Sequence, residues 1–383
     1  ILTRQHITWT SEAYANLALG LPASPALWEQ IQQWDEEAAR LYWANVQIHG
    51  KLREHWAVVL EKWKTVCRPW SSLELVATVV DERRSANIAT RPSAEQVADV
   101  LERALKASEN IEPHRRRGTM LNHYVEGLFS FLDGQDIAPD ILAHLEWGWF
   151  QVLENTKRGA RTLQSQVTSS PELFVELLKL VFLADGEPKS AEVSEHQRRL
   201  AGHAYDVLQA VKTLPGYKAD SPDNRIDPRA LRDWITRSRT LAQEVGRLGV
   251  CDGRIGQILS YAPPSADGSW PCVEVRDLIE EIQSARLERA IVIGTCNQRG
   301  VVRRGEGGRQ EWDLVNKFRA LADKVRNGWP RTARVLDDLA EHYAFTARHW
   351  DEQAKRDEYE QDKQEEWQAK PALPLSPRPG PLD

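Results

Sequence analysis

Methionine occurs once in this 383-residue chain, and its four cysteines, Cys67, Cys251, Cys272 and Cys296, form no CxxC pair. That spacing excludes a disulfide framework and a zinc knuckle, and reads as reduced thiols of a cytoplasmic protein. No run of about 18 apolar residues is present to span a bilayer. Positive charge is short too: the net charge is −6, whereas a general nucleic-acid binder is usually basic. No GxSxG elbow, HExxH pair or cysteine-protease signature occurs. His196 and His203, like His342 and His349, are seven residues apart. Two helical turns put such rings roughly 10 Å apart, too far to share a metal. The chain therefore reads as non-enzymatic, with no metal and no cofactor. It opens on Ile1 without a charged and then apolar leader, and is taken as a piece of a larger protein.

What is abundant is helical patterning, together with 15 tryptophans. Tryptophan at this level reads as large filler at helix–helix contacts. Ser24-Pro25 sets a cap ahead of a proline at the first helical position. The apolar positions Leu27, Ile31, Trp34, Ala38, Leu41 and Ala44 then predict one helix over 26–47. Leu52, Trp56, Val59, Leu60 and Trp63 predict a second face. Further helices are expected at about 72–88, 93–107, 119–132, from Pro139, from Pro171, at 191–213, 228–245, near 255–259, over 273–297, at 310–325 and at 331–366. Ser93 with Gln96 fits a capping box. The β-branched run Ala290-Ile291-Val292-Ile293 fits a strand by composition, but Leu287, Ile291 and Cys296 share a helical face, and helix is preferred. The fold class is all-α: an extended array of antiparallel helical hairpins with degenerate, solenoid-like repeats. Expected divisions are a helical array over 1–214, a second over 225–366, and a proline-rich disordered tail over 367–383.

Two arginine clusters stand out. Between Gln298 and Arg309 lie four arginines, Arg299, Arg303, Arg304 and Arg309, against a single glutamate. Gly300 and Gly305 have the spacing of a P-loop, but Glu306 stands where its lysine belongs, which removes the nucleotide-cradle reading. Arg303 and Arg304 offer planar forks for a carboxylate or phosphate, and Arg309 falls at the start of the next helix, where anions are favoured. Arg115, Arg116 and Arg117 form the second cluster, able to grip phosphates or to sit solvated at a helix end. These seven arginines are the candidate partner or anion contacts; solvated linkers are the competing reading.

Several segments carry a resemblance. They are Leu142-Ala143-His144-Leu145-Glu146-Trp147 with Ser170-Pro171-Glu172-Leu173-Phe174; Gly268-Ser269-Trp270-Pro271-Cys272 with Val275-Arg276-Asp277-Leu278; Asn297-Gln298-Arg299-Gly300-Val301; and Trp329-Pro330-Arg331-Thr332-Ala333. Over roughly residues 140–355 the chain resembles the C-terminal helical, sensor-like region of large bacterial anti-phage defence proteins of the STAND ATPase type or their relatives. That resemblance implies a helical array that recognises a phage protein or a partner subunit, with the ATPase and effector domains elsewhere and any oligomer formed through the parent protein. Two alternatives stay open: a helical module contacting nucleic acid through its arginines, and an enzyme whose site is assembled from separated helices.

Overall fold

Helix starts in this chain follow local chemistry wherever a serine, threonine or aspartate precedes the first turn. The computed structural model describes residues 9–47, 50–81, 90–108, 119–188, 193–217, 226–300 and 307–369. Among these there are eighteen helices and no strand, only an isolated bridge between Tyr217 and Ile226. The fold is all-α, as expected, and 290–294 lies within a helix. No helix among the described residues is long and apolar enough to cross a membrane.

Two units pack separately, 1–166 and 167–383. The first begins with α1 (Ser11–Leu19), α2 (Pro25–Trp34), α3 (Glu36–Asn45), α4 (Gly50–Glu54) and α5 (Trp56–Thr65). It continues with α6 (Pro69–Val80), α7 (Ala94–Ser108), α8 (Thr119–Leu132), α9 (Pro139–Leu153) and most of α10 (Arg161–Ser169). The single helix predicted over 26–47 is two. Asp35 is extended, ends α2 and caps α3, its Oδ1 accepting from the amides of Glu37 and Ala38. The capping box is present: the Ser93 and Gln96 side chains each accept the other's amide. Trp28, Trp43, Trp56, Trp63 and Trp149 are buried, in keeping with tryptophan as core filler. α6 is buried along most of its length and packs on α5, α7 and α8.

One charged cluster ties the end of this unit together. Arg158 Nη2 donates to Asp133 Oδ1 at 2.7 Å and to Glu146 Oε1 at 2.6 Å, and its guanidinium lies 5.0 Å from the Phe129 ring. Glu146 Oε2 in turn accepts from the Leu163 amide at 2.7 Å, in the first turn of α10.

The second unit holds α11 (Pro171–Val181), α12 (Glu195–Ala210), α13 (Pro228–Glu244), α14 (Leu248–Leu259), α15 (Val273–Ile282), α16 (Ala285–Gln298), α17 (Arg309–Val325) and α18 (Pro330–Ala369). Of the polar segment expected as a boundary, 215–224, residues 218–224 lie outside the described residues, and Tyr217 before them bridges to Ile226. α18 runs to Ala369, so residues 367–369, expected as tail, are helical, while 370–383 lie outside the described residues. Pairing is not limited to consecutive helices: α11 meets both α12 and α13, and α14 packs on α16. α17 and α18 form the clearest antiparallel hairpin. Val315, Phe318, Ala322 and Val325 pack on Leu336, Leu339, Tyr343 and Ala344, with the Phe318 and Tyr343 rings stacked at 5.7 Å.

Burial decides thiol chemistry. It pushes Cys251 and Cys272 up to about 12, and raises Cys296 as well. Cys67 is exposed. A thiol-specific reagent is therefore expected to label Cys67 first, with Cys251 and Cys272 reacting only in denaturant. Equal labelling rates for Cys67 and Cys251 in the native protein would contradict this placement.

Candidate functional site: the base of the glycine–arginine loop

The loop between α16 and α17 is described at its two ends. Arg299 ends α16 and Gly300 turns the chain with φ +61, a left-handed conformation suited to glycine. Gly307 turns it again with φ +62, and Gly308 leads into α17. Arg303 and Arg304 lie outside the described residues, as do Arg115, Arg116 and Arg117.

Arg299 is held inward. Its Nη1 donates to Glu311 Oε1 at 2.8 Å and its Nη2 to Gln310 Oε1 at 3.3 Å. The guanidinium also sits 5.8 Å from the Tyr343 ring. The Glu311 side chain is 1% exposed, so this pair closes the base of the loop across α16 and α17. Beside it, burial and then the Cys296 thiol push the Tyr343 hydroxyl up to about 12. Arg299 thus acts as a strut. Arg309, by contrast, is exposed at the first position of α17.

The N-terminus of α17 already carries an anion. Asp351 of α18 accepts the Gly308 amide at 2.7 Å through Oδ1, and the Trp312 indole N–H at 2.9 Å through Oδ2. Gly308 is required here, because a Cβ would stand 2.3 Å from the Ala347 carbonyl oxygen. The position where the loop would offer backbone amides to an external phosphate is thus filled by the chain's own carboxylate. The Trp312 and Gly308 donors hold the Asp351 carboxyl below its usual range.

A pH prediction follows from that sign. A carboxyl depressed in the folded state adds stability above its unfolded value, roughly 3.9, and loses it as the pH falls through the folded value. Asp351→Asn is expected to lower the Tm at neutral pH, with the gap to the native protein closing in acid. A gap of constant size down to pH ~2 would show that the charge is not what Asp351 contributes.

The same device recurs. The Arg331 and Thr332 amides at the start of α18 donate to Glu280 of α15 at 3.1 and 2.8 Å, and Arg331 also pairs with Glu288. With Glu146 at α10, three helix starts take their carboxylate from another helix. Each follows a residue without a carboxylate or hydroxyl, namely Ala160, Gly308 or Trp329, so no local signal announces the cap. Asp351, Trp312, Tyr343 and Cys296 were not legible as loop partners for that reason: Asp351 lies 43 residues from the amide it serves.

Among the described residues no group of three or more His, Cys, Asp or Glu side chains is placed to hold a metal. Comparison with protein-family models, with curated proteins and with solved structures gives no match to this chain.

Proposed function

We propose that this chain is a helical recognition and scaffold module of a larger bacterial defence protein, of the STAND ATPase type or a relative, which binds a phage protein or a partner subunit while catalysis is carried by other parts of the parent. The observation that supports this most is α18. Among its residues up to Gln364 the last buried one is Ala347, and every residue from Lys355 to Gln364 is exposed. A helix polar on all sides builds no core; elements of this kind join or present other parts. Local pairs sustain it, with Gln353 donating to Asp357 and the Lys363 ammonium 4.9 Å from the Tyr359 ring. The ordering of charge near the loop agrees with the same reading, since Arg299, Glu311 and Asp351 hold helices together.

The test uses the purified chain and individually purified phage proteins. One of them is expected to bind in a direct assay, with no ATP or GTP hydrolysis by the chain alone. Removing residues 355–383 is expected to leave the Tm unchanged while weakening partner engagement. Robust nucleotide hydrolysis by the chain would overturn the proposal. So would DNA or RNA retention that falls steeply with salt and disappears when both arginine clusters are changed to alanine, an outcome that establishes the nucleic-acid reading instead.

A further inference from the structure

Three helix starts of this chain take a carboxylate from another helix, and the start of α15 takes none. Its cap residue, Cys272, makes no side-chain bond to the first turn. The Val273 amide donates to Ser265 Oγ at 3.1 Å, and the amides of Val275 and Arg276 donate to the Cys272 carbonyl. Among the described residues the Glu274 amide meets no acceptor. An N-terminus is the positive end of its helix, and a neutral hydroxyl leaves that charge unanswered. Val273 is exposed, so the site opens to solvent.

A buried cation sits at the same place. Arg276 is 4% exposed and belongs to the first turns of α15, where side chains lean back toward the helix start. Its Nη2 donates to the same Ser265 Oγ at 2.9 Å, and its guanidinium lies 4.1 Å from the Trp329 ring. Its Nε is buried with no hydrogen-bond partner. Arg239, Arg299 and Arg331 in this unit each pair with a carboxylate, whereas Arg276 pairs with none among the described residues. The acids around it are engaged elsewhere. Asp277 accepts from the Trp329 indole, Asp267 pairs with Lys324, Glu280 caps α18, and Glu274 accepts from the Cys272 thiol. Ser265 Oγ accepts twice, which leaves its own O–H to donate. A buried guanidinium at the positive end of a helix is costly until an anion joins it.

We infer that the start of α15 receives one carboxylate, that of an aspartate or glutamate side chain presented by a partner protein, held by Arg276, the Ser265 hydroxyl and the Glu274 amide. One guanidinium balances one carboxylate, but leaves about half the charge of a phosphate over, beside the Glu274 and Asp277 side chains. This rests on the recognition reading above and names one point of contact for it. The test is NMR on the full chain, following the Glu274 amide and the Arg276 Nε–H during titration with N-acetyl-glutamate amide at low salt. Both signals are expected to shift saturably. N-acetyl-glutamine amide is expected to shift neither, and inorganic phosphate to bind several-fold more weakly. Arg276→Met keeps the stem against Trp329 without the charge, and is expected to abolish the shift of the Glu274 amide. Ser265→Ala keeps the charge and is expected to weaken the probe several-fold; it serves alone if the methionine variant fails to fold. No saturable shift with the glutamate probe, an equal shift with the glutamine control, phosphate binding at least as tightly, or undiminished binding in both folded variants would overturn the inference. If a phage protein binds native and Arg276→Met chains equally while the probe does not bind, the site fails and recognition stands. If the probe binds as expected and no phage protein does, recognition fails and the carboxylate site stands.

Discussion

Arg158→Ala is expected to lower the stability of the first unit by about 3–5 kcal/mol, the cost of stripping one partner from a buried ion pair. The side chains concerned are 4% exposed for Arg158 and fully buried for Glu146. Glu146 would keep its bond from the Leu163 amide and lose the cation that offsets its charge. Asp133 would keep Arg161, whose Nη2 lies 2.6 Å from its Oδ2, so the damage should centre on Glu146. A loss of this size is a large part of the roughly 5–15 kcal/mol that holds a typical domain folded. Urea unfolding measures it. Pairing Arg158→Met with Glu146→Leu should restore part of the loss, because no buried charge is then left alone. A change below about 1 kcal/mol for Arg158→Ala would mean that water reaches Glu146 freely.

Gly256→Val is expected to be the most damaging change in the second unit. α14 and α16 approach so closely at Gly256 that a Cβ would stand 2.3 Å from the Leu287 carbonyl oxygen and 2.8 Å from Ala290 Cβ. The first of these is backbone, so the helices must separate. Overpacking of this kind costs about 1–3 kcal/mol or more, and here the strain falls on a whole helix pair. Gly253, three residues earlier in the same helix, is the internal control: a Cβ there would meet nothing within 4 Å. Gly253→Ala is expected to be neutral or stabilising by up to about 1 kcal/mol. Thermal unfolding of the two variants side by side decides the point. Similar losses in both would show that helix propensity, not the crossing, sets the response.

The difference between local and distant chemistry explains what could be read in the sequence. Ser24, Ser93, Ser170, Ser194 and Asp227 each announce a helix, and each accepts an amide in the first turn. Apolar spacing of three and four residues locates the faces that become buried. The same spacing ran straight through Asp35, because a one-residue break barely shifts a helical period; only the cap geometry separates α2 from α3. α10, absent from the expected helices, begins where the cap comes from a distant glutamate; α18 also takes a distant glutamate, yet Pro330 at its first position marks its start. The candidate arginines divide in the same way. Nothing near Arg299 in the chain marks it as the partner of Glu311, and the anion at the start of α17 is supplied from α18.

The exposed stretch of α18 from Lys355 to Gln364 makes the helix a lever. Its base is clamped by Asp351 to the start of α17, and Lys355 to Ala369 extends roughly 21 Å at 1.5 Å per residue. A tilt of roughly 10° at the clamp would carry the tip about 4 Å, more than the rise of two residues. Small rearrangements where α16, α17 and α18 meet are thereby magnified at Ala369, and the Gly308–Asp351 contact sets the fulcrum.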